Sequence, residues 1–340
     1  MSSPFDDIYD LGEKLKYVEF LESDLSEENY TQYLSLLHEC ANEGSKEAIL
    51  KLAAIHQYGD EFTDSDDTAA LEMLKVAFAK FKYAEVAQEI AEIYWLKNDE
   101  DEIEATNWYK VAADLGHGDC CQKLGTRYRY GWGCTRSIQN AIRYYELAII
   151  YGHTPAYHEL AEIYLDEKEN TKAVKTLLDG ATRGNRDCQY RYSVLLHIGE
   201  LVKKDPSESL MWLNKAADLD HAKAQFILSN KYLQGWDVKK DIYTAFKWLE
   251  RSAKNHYQRA QFQLYTSYLC GTGIEKNITL AFAWLLIAIR NSSSNDNLHS
   301  KQLLSFTSNT VAAIMDSDQI ERAQLFRDEF TADRFTYTKN

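Results

Sequence analysis

Apolar residues recur along this chain at offsets of three, four and seven, the spacing that places side chains on one face of an α-helix. One phrase reads alanine, two residues, an aromatic, another large residue, then a small residue seven after the first. It appears as Ala105–Trp108–Tyr109–Ala112, Ala141–Tyr144–Tyr145–Ala148, Ser209–Trp212–Leu213–Ala216, Ala245–Trp248–Leu249–Ser252 and Ala281–Trp284–Leu285–Ala288. Looser copies stand at Ala70–Met73–Leu74–Ala77 and Ala173–Thr176–Leu177–Gly180. A second phrase precedes each copy, as in Cys120–Leu124–Gly125–Tyr128, Ala156–Leu160–Ala161–Tyr164 and Ala224–Leu228–Ser229–Tyr232. Its small residues mark places where another helix must come close. Trp212, Trp248 and Trp284 are 36 residues apart, and so are Trp108 and Tyr144. Recurrence at one such period predicts an array of helix pairs.

Between the two phrases lies a turn: Gly131-Trp132-Gly133-Cys134, Gly235-Trp236-Asp237-Val238 or Gly271-Thr272-Gly273-Ile274. Glycine supplies the positive φ that ends the first helix. Asp205, Asp241 and Asn277, again 36 apart, cap the start of the second. Pro206 follows Asp205 at a first helical position. Outside the period, residues 26–41 read as an amphipathic helix ending at Gly44. Residues 291–295 read as a linker, and two more helices are expected near 298–308 and 317–330. Atypical ends of this kind cover the apolar faces of a repeat stack.

These phrases resemble Sel1-like repeats, a helix–turn–helix relative of the tetratricopeptide repeat. The residues carrying the resemblance are Leu124-Gly125-Thr126-Arg127-Tyr128 with Gly131-Trp132-Gly133, Val238-Lys239-Lys240-Asp241 leading to Ala245 and Trp248, and Lys215-Ala216-Ala217. The implied fold is all-α: a right-handed αα-superhelix, or solenoid, of about seven repeats over residues 46–291. Capping helices are expected at 1–45 and 292–340. The fourth copy departs from the pattern, since its acidic turn from Asp166 to Asn170 lacks Gly-x-Gly. The seventh has Tyr265 where a small residue is usual. In such proteins the first helix of each pair lines a concave surface, where Glu92, Arg127, Glu162, Asn230 and Lys231 are the outward positions. The resemblance implies a non-enzymatic protein-interaction module, an adaptor or an immunity or inhibitor protein. Some cysteine-rich relatives are linked to beta-lactam binding or hydrolysis, which supplies the enzymatic alternative.

Charge sharpens this picture. Residues 1–118 hold 27 acidic and 9 basic side chains, a net −18, while residues 119–340 hold 25 and 29, a net +4. The overall −14 disfavours nucleic acid and anionic membranes as partners. Asp60, Glu61, Asp64, Asp66 and Asp67 fall between the helices of the first repeat. Asp99, Glu100, Asp101, Glu102 and Glu104 fall at the equivalent place in the second. Equivalent turns stack along one edge, so the two clusters should merge into an acidic patch suited to a basic partner face. Arg127, Arg129 and Arg136, then Lys239 and Lys240, would orient a bipolar partner. Trp132 and Trp236 sit in turns. They either fold back on their own repeat or stand exposed as binding hot spots.

Specific chemistry is weakly signalled. Cys120 and Cys188 occupy alanine slots and read as core residues, and there is no C-x-x-C. Reduced thiols, an N-terminus without a basic start or apolar core, and no long apolar run predict a cytoplasmic protein. His117, His153 and His221, like Asn185, fall between repeats and read as polar groups satisfying helix C-termini. The loop from Asp60 to Asp67 hints at calcium but lacks the central glycine, and Lys75 stands where a bidentate glutamate is needed. It reads as a solvated loop. No metal, cofactor or catalytic residue is expected.

Overall fold

The computed structural model describes residues 10–23, 26–60, 62–97, 101–291, 308–313 and 315–337. Among them every extended element is a helix, and none is long and apolar enough to cross a membrane. The chain divides into two compact units, residues 1–163 and 164–340.

The first unit begins with α1 (Leu11–Glu22) and α2 (Glu27–Asn42). Three helix pairs follow: α3 (Lys46–Tyr58) with α4 (Asp67–Phe81), α5 (Ala84–Lys97) with α6 (Glu102–Asp114), and α7 (Gly118–Tyr130) with α8 (Ile138–Ile150). Most of α9 (Ala156–Asp166) completes it. α1 falls in the stretch where capping helices were expected, though only the helix over 26–41 had been given bounds. Its Val18 and Leu21 pack with Tyr30, Tyr33 and Leu37 of α2, while Lys14 reaches Glu39 at 3.3 Å and Glu43 at 2.5 Å. Small residues make room between helices as expected. A Cβ on Gly125 would lie 2.8 Å from the Tyr145 ring, so glycine lets α7 and α8 approach closely.

The second unit holds α10 (Asn170–Thr182) and the pairs α11 (Arg186–Ile198) with α12 (Pro206–Asp218), α13 (Ala222–Gln234) with α14 (Ile242–Lys254), and α15 (Gln258–Cys270) with α16 (Ile278–Arg290). α17 (Ser317–Tyr337) packs on α16, its Phe326 and Phe330 meeting Trp284 edge-on at 5.8 and 5.3 Å. The linker and the helix expected at 298–308 lie almost wholly outside the described residues.

Caps begin these helices where expected. Asp205 Oδ1 accepts from Glu208 N at 2.9 Å, Asp241 Oδ1 from Thr244 N at 3.2 Å and Asn277 Oδ1 from Leu280 N at 3.0 Å. Gly131, Gly235 and Gly271 take left-handed φ at helix ends, and Lys168, at φ 61°, stands in for glycine in the fourth copy's turn. The turn polar residues act differently from the expectation. His117 Nδ1, Asn185 Oδ1 and His221 Nδ1 accept from Cys120 N, Cys188 N and Ala224 N. They cap the helix that follows rather than the one that precedes. The short links leave the incoming N–H groups as the nearer unsatisfied partners.

Two of the four repeat tryptophans are less buried than their pattern suggests. Trp212 and Trp284 are core, whereas Trp108 and Trp248 are half-buried. Trp248 lies under the Arg251 guanidinium at 4.8 Å, and Trp108 meets Phe78 edge-on at 5.3 Å. A 36-residue ladder of buried amides runs through the second unit. Gln189, Gln225 and Gln261 each donate from Nε2 to a carbonyl of the preceding pair, Ala181 O at 3.0 Å, Ala217 O at 2.9 Å and Ala253 O at 3.1 Å. Their Oε1 atoms accept from Asn255 in the case of Gln225 and from Asn291 in that of Gln261. The equivalent of these asparagines beside Gln189 is Leu219, and Gln189 Oε1 has no partner.

Candidate functional site

In the first unit the ends of the first helices of successive pairs carry exposed large apolar residues. Tyr58, Leu96 and Tyr130 occupy equivalent positions at the ends of α3, α5 and α7, joined by Trp95 and Trp132. Trp95 is 50% exposed and Trp132 is 46% exposed. Trp132 stacks on Tyr130 with ring centroids 5.1 Å apart, so the turn tryptophan both leans on its own repeat and faces solvent. Grouped exposed aromatics of this kind mark contact surfaces.

A cleft of about 260 Å³ opens between Trp95 and Trp132. Tyr109 of α6 lies in its wall, and α7 contributes Asp119, Gln122, Lys123, Thr126 and Arg127. Lys123 is ion-paired with Glu92 and, at 3.1 Å, with Asp119. Burial and the Glu92 carboxylate push the Tyr109 hydroxyl above the ordinary phenol range. Glu89, one turn before Glu92, makes no ion pair among the described residues. Burial, then the Glu92 charge, pushes its carboxyl upward.

The turn beside the cleft is bolted to α6. Thr106 Oγ1 donates to Glu102 O at 2.8 Å and Trp132 O at 3.3 Å. Arg127 Nη1 donates to Thr106 Oγ1 at 3.1 Å and Glu102 O at 3.4 Å. Gly133 has φ 61°, and a Cβ there would lie 2.5 Å from the Glu102 carbonyl carbon and 2.6 Å from Thr106 Oγ1. Only glycine lets this turn rest on the preceding pair.

The expected contact residues are placed unevenly. Asp64 is exposed. Asp66 is spent as a cap, its Oδ1 accepting from Thr68 N at 2.9 Å and Ala69 N at 3.1 Å, and Asp67 begins α4. Asp101 and Glu102 stand at the start of α6. Asp99, Glu61 and Glu100 lie outside the described residues. Burial pushes the Tyr58 hydroxyl up, with Glu89, Glu92 and Asp67 adding to it, so these three carboxylates share the surroundings of that ring. Glu162 and Asn230 are half-buried, and in the second unit Trp236 is 62% exposed.

Arg127 and Lys231 correct the sequence reading. Both were expected to point outward, yet they are 4% and 8% exposed. Each precedes the buried-face aromatic of its helix and is rotated toward the turn, where Arg127 meets Thr106 and Lys231 meets Asp237. Asp60 in the acidic loop is also committed, accepting from Tyr30 Oη at 2.5 Å and Phe62 N at 2.9 Å. His117, Asp119 and Cys120 bring potential metal-ligating atoms within 4.8 Å of one another. However, His117 Nδ1 serves as a cap, and burial pushes the Cys120 thiol up. The sequence put Tyr109 only on the repeating apolar face and gave no role to Lys123 or Trp95.

Helix pairs that recur at a 36-residue period define an α-solenoid. The chain belongs to the Sel1 repeat family, whose pattern matches residues 46–80, 96–117, 118–150, 186–221, 222–257 and 259–293, more than half of its length. Sel1 repeat proteins are protein-interaction scaffolds. Chitin synthase regulatory factor 2 of Schizosaccharomyces pombe is 28% identical over 166 residues, which is 45% of this chain and 32% of the relative. The match thus spans about a third of that protein. The crystal structure of a Sel1 repeat protein from Oxalobacter formigenes aligns with a TM-score of 0.64 at 23% identity, covering 88% of each chain. Yeast Tom70 aligns with a TM-score of 0.51 at 14% identity over 92% of this chain and 66% of that one.

Proposed function

We propose that this protein is a non-enzymatic scaffold that holds a partner protein against the aromatic and acidic edge of its first unit. The observation that carries the reading is the exposed row of Tyr58, Trp95, Leu96, Tyr130 and Trp132 beside Asp67, Glu92, Asp101 and Glu102. Large rings supply contact area at low entropic cost, while the carboxylates favour a partner face rich in lysine and arginine and speed its approach. The fission-yeast relative is a regulatory factor, which fits a protein that acts through another protein. An adaptor within an assembly and a dedicated inhibitor or immunity protein are two forms of this reading. A single tight complex that silences its partner would mark the second.

Cys120, Cys121 and Cys134 are poorly suited to act as enzyme nucleophiles. Burial pushes the thiols of Cys120, Cys121 and Cys134 upward, Cys121 to about 11, which suppresses the reactive thiolate. Unpaired thiols suit a reducing compartment such as the cytoplasm.

The test is affinity capture from the native cell with the wild type, with Trp95→Ala/Trp132→Ala, and with Asp64→Asn/Asp67→Asn/Asp101→Asn/Glu102→Gln. Loss of a specific partner in the first variant is expected, as is slower, less salt-sensitive association in the second. Undiminished capture by both would move the contact surface elsewhere. A covalent adduct with a beta-lactam probe would favour an enzyme.

A further inference from the structure

We propose that the cleft between Trp95 and Trp132 is an anchor pocket for one carboxylate adjoining a large apolar or aromatic group on the partner protein. The inference deepens the reading of this edge as a contact surface and rests on it.

Its basis is the condition of Arg127. The side chain is 4% exposed and lines the cleft. Its Nη1 donates only to neutral acceptors, Thr106 Oγ1 and the Glu102 carbonyl. Among the described residues no carboxylate lies within ion-pairing distance of it. Its Nε and Nη2 make no hydrogen bond there, yet neither is sealed from solvent. A buried cation without a counter-charge is costly. Neighbouring Lys123 is already answered by Glu92 and Asp119.

The charge is not needed to build the joint between repeats. The same position in the sixth pair is Lys231, which has its own acid in Asp237. In the fifth and seventh pairs it is Leu195 and Ser267, buried and uncharged. A similarly placed cleft of about 180 Å³ at the joint between the sixth and seventh pairs, lined by Ser267, Phe246 and Leu249, holds no charged side chain. Among the described residues, Arg127 alone of this set is a buried cation without an acidic partner.

The free Nε–Nη2 edge of a guanidinium matches a carboxylate side-on, with two parallel hydrogen bonds. Tyr109, 5.0 Å beneath the guanidinium carbon, holds that plane in place. The half-exposed rings of Trp95 and Trp132 flank the opening, and the space suits a single large side chain. Asp119 lines the cleft, and Lys123 beside it holds both Asp119 and Glu92; with two carboxylates to one lysine there, the pocket disfavours a polyanion and suits a lone carboxylate on an otherwise neutral or basic segment. Two sources share this chemistry: a chain's terminal carboxylate beside an apolar last residue, or an aspartate or glutamate side chain beside an aromatic one.

Three peptide probes separate them: acetyl-Lys-Lys-Phe with a free carboxylate, the same peptide ending in an amide, and acetyl-Lys-Phe-Glu ending in an amide. Each is titrated into the full chain, following the indole N–H resonances of Trp95 and Trp132, assigned with Trp95→Phe and Trp132→Phe. The free acid is expected to shift both resonances saturably, with Kd below about 1 mM, and the amide of the same peptide to bind at least about tenfold more weakly. Saturable binding of the glutamate peptide would extend the site to side-chain carboxylates. Arg127→Gln should abolish the preference for acid over amide. Because that substitution also loosens the turn, the comparison on the unaltered protein stands by itself. Equal binding of acid and amide, or no saturable shift with either carboxylate, overturns the proposal. If the peptides fail while Trp95→Ala/Trp132→Ala still loses the native partner, only the pocket inference falls and the scaffold reading stands.

Discussion

Replacing Gly133 by alanine isolates the joint between the second and third helix pairs. Two costs are expected. The first is conformational: φ of 61° is left-handed, which penalises a residue with a Cβ by about 1 kcal/mol. The second is steric. The new methyl would sit 2.5 Å from the carbonyl carbon of Glu102 and 2.6 Å from Thr106 Oγ1, and the first of these belongs to helix backbone that cannot swing aside. The turn must retreat by about 1 Å to reach ordinary contact. That retreat stretches the bond from Thr106 to Trp132 O, already 3.3 Å, and disturbs the two bonds from Arg127 at 3.1 and 3.4 Å. At about 1 kcal/mol for each bond lost, the total reaches roughly 3–4 kcal/mol. Gly152→Ala is the control. Its φ is 82°, and nothing lies within 4 Å of the added Cβ, so only the cost of about 1 kcal/mol applies. For a unit of this size each kcal/mol moves Tm by about 2–4 °C. Thermal and urea unfolding followed by circular dichroism should therefore show Gly133→Ala lowering the first unit's transition by about 6–16 °C, and Gly152→Ala by about 2–4 °C. Equal shifts would show that the turn does not bear on α6, and the account of Arg127 would go with it.

Leu219→Asn should stabilise the second unit by about 1 kcal/mol, because the backbone there (φ −86°, ψ 23°) already matches that of Asn255 (φ −81°, ψ 25°) and Gln189 Oε1 awaits a donor. A fall in urea midpoint would refute the ladder. Glu89→Gln should raise Tm at neutral pH. A carboxyl raised in the folded state adds stability below its unfolded pKa and loses it as pH rises, so the gain should fade as pH falls toward about 4.5. A pH-independent gain would exclude ionisation as its cause. His221 runs the other way. Burial lowers its pKa, so its contribution is full above about 6.5 and lost as pH falls. His221→Asn, copying the cap Asn185 makes, should flatten melting curves compared between pH 7 and 5. Trp284→Ala should cost about 3–5 kcal/mol, whereas exposed Trp236→Ala should leave denaturant midpoints nearly unchanged; comparable losses would mean the turn ring is packed.

The helix pairs were legible because their signals are local. Asp205, Asp241 and Asn277 announce helix starts at one period, and glycines close the preceding helices. The bounds of α1 were not legible for the same reason: the Asp10 side chain makes no cap hydrogen bond, and no repeat phrase crosses it. Directions of individual side chains were harder to read. Arg127 and Lys231 sit near the ends of their helices beside the turn, where a small rotation about the helix axis decides burial. The cleft needed Trp95, Tyr109, Lys123 and Arg127 from three helices, and no spacing within one helix joins them. The amide ladder at Gln189, Gln225 and Gln261 also recurs every 36 residues, yet it went unread. Its meaning depended on which carbonyl lies opposite, and that is a property of packing.

That ladder bears on how long this protein needs to be. Each rung joins one helix pair to the next through the same side chain, the same acceptor carbonyl and, twice, the same asparagine. The upstream and downstream faces of residues 222–257 therefore carry matching halves of one connector. A chain carrying a second copy of those residues in tandem would meet, at each new junction, a seam it already forms. Length in the second unit is in this sense an adjustable dimension, free to grow by whole repeats while the Trp95 edge of the first unit is left untouched.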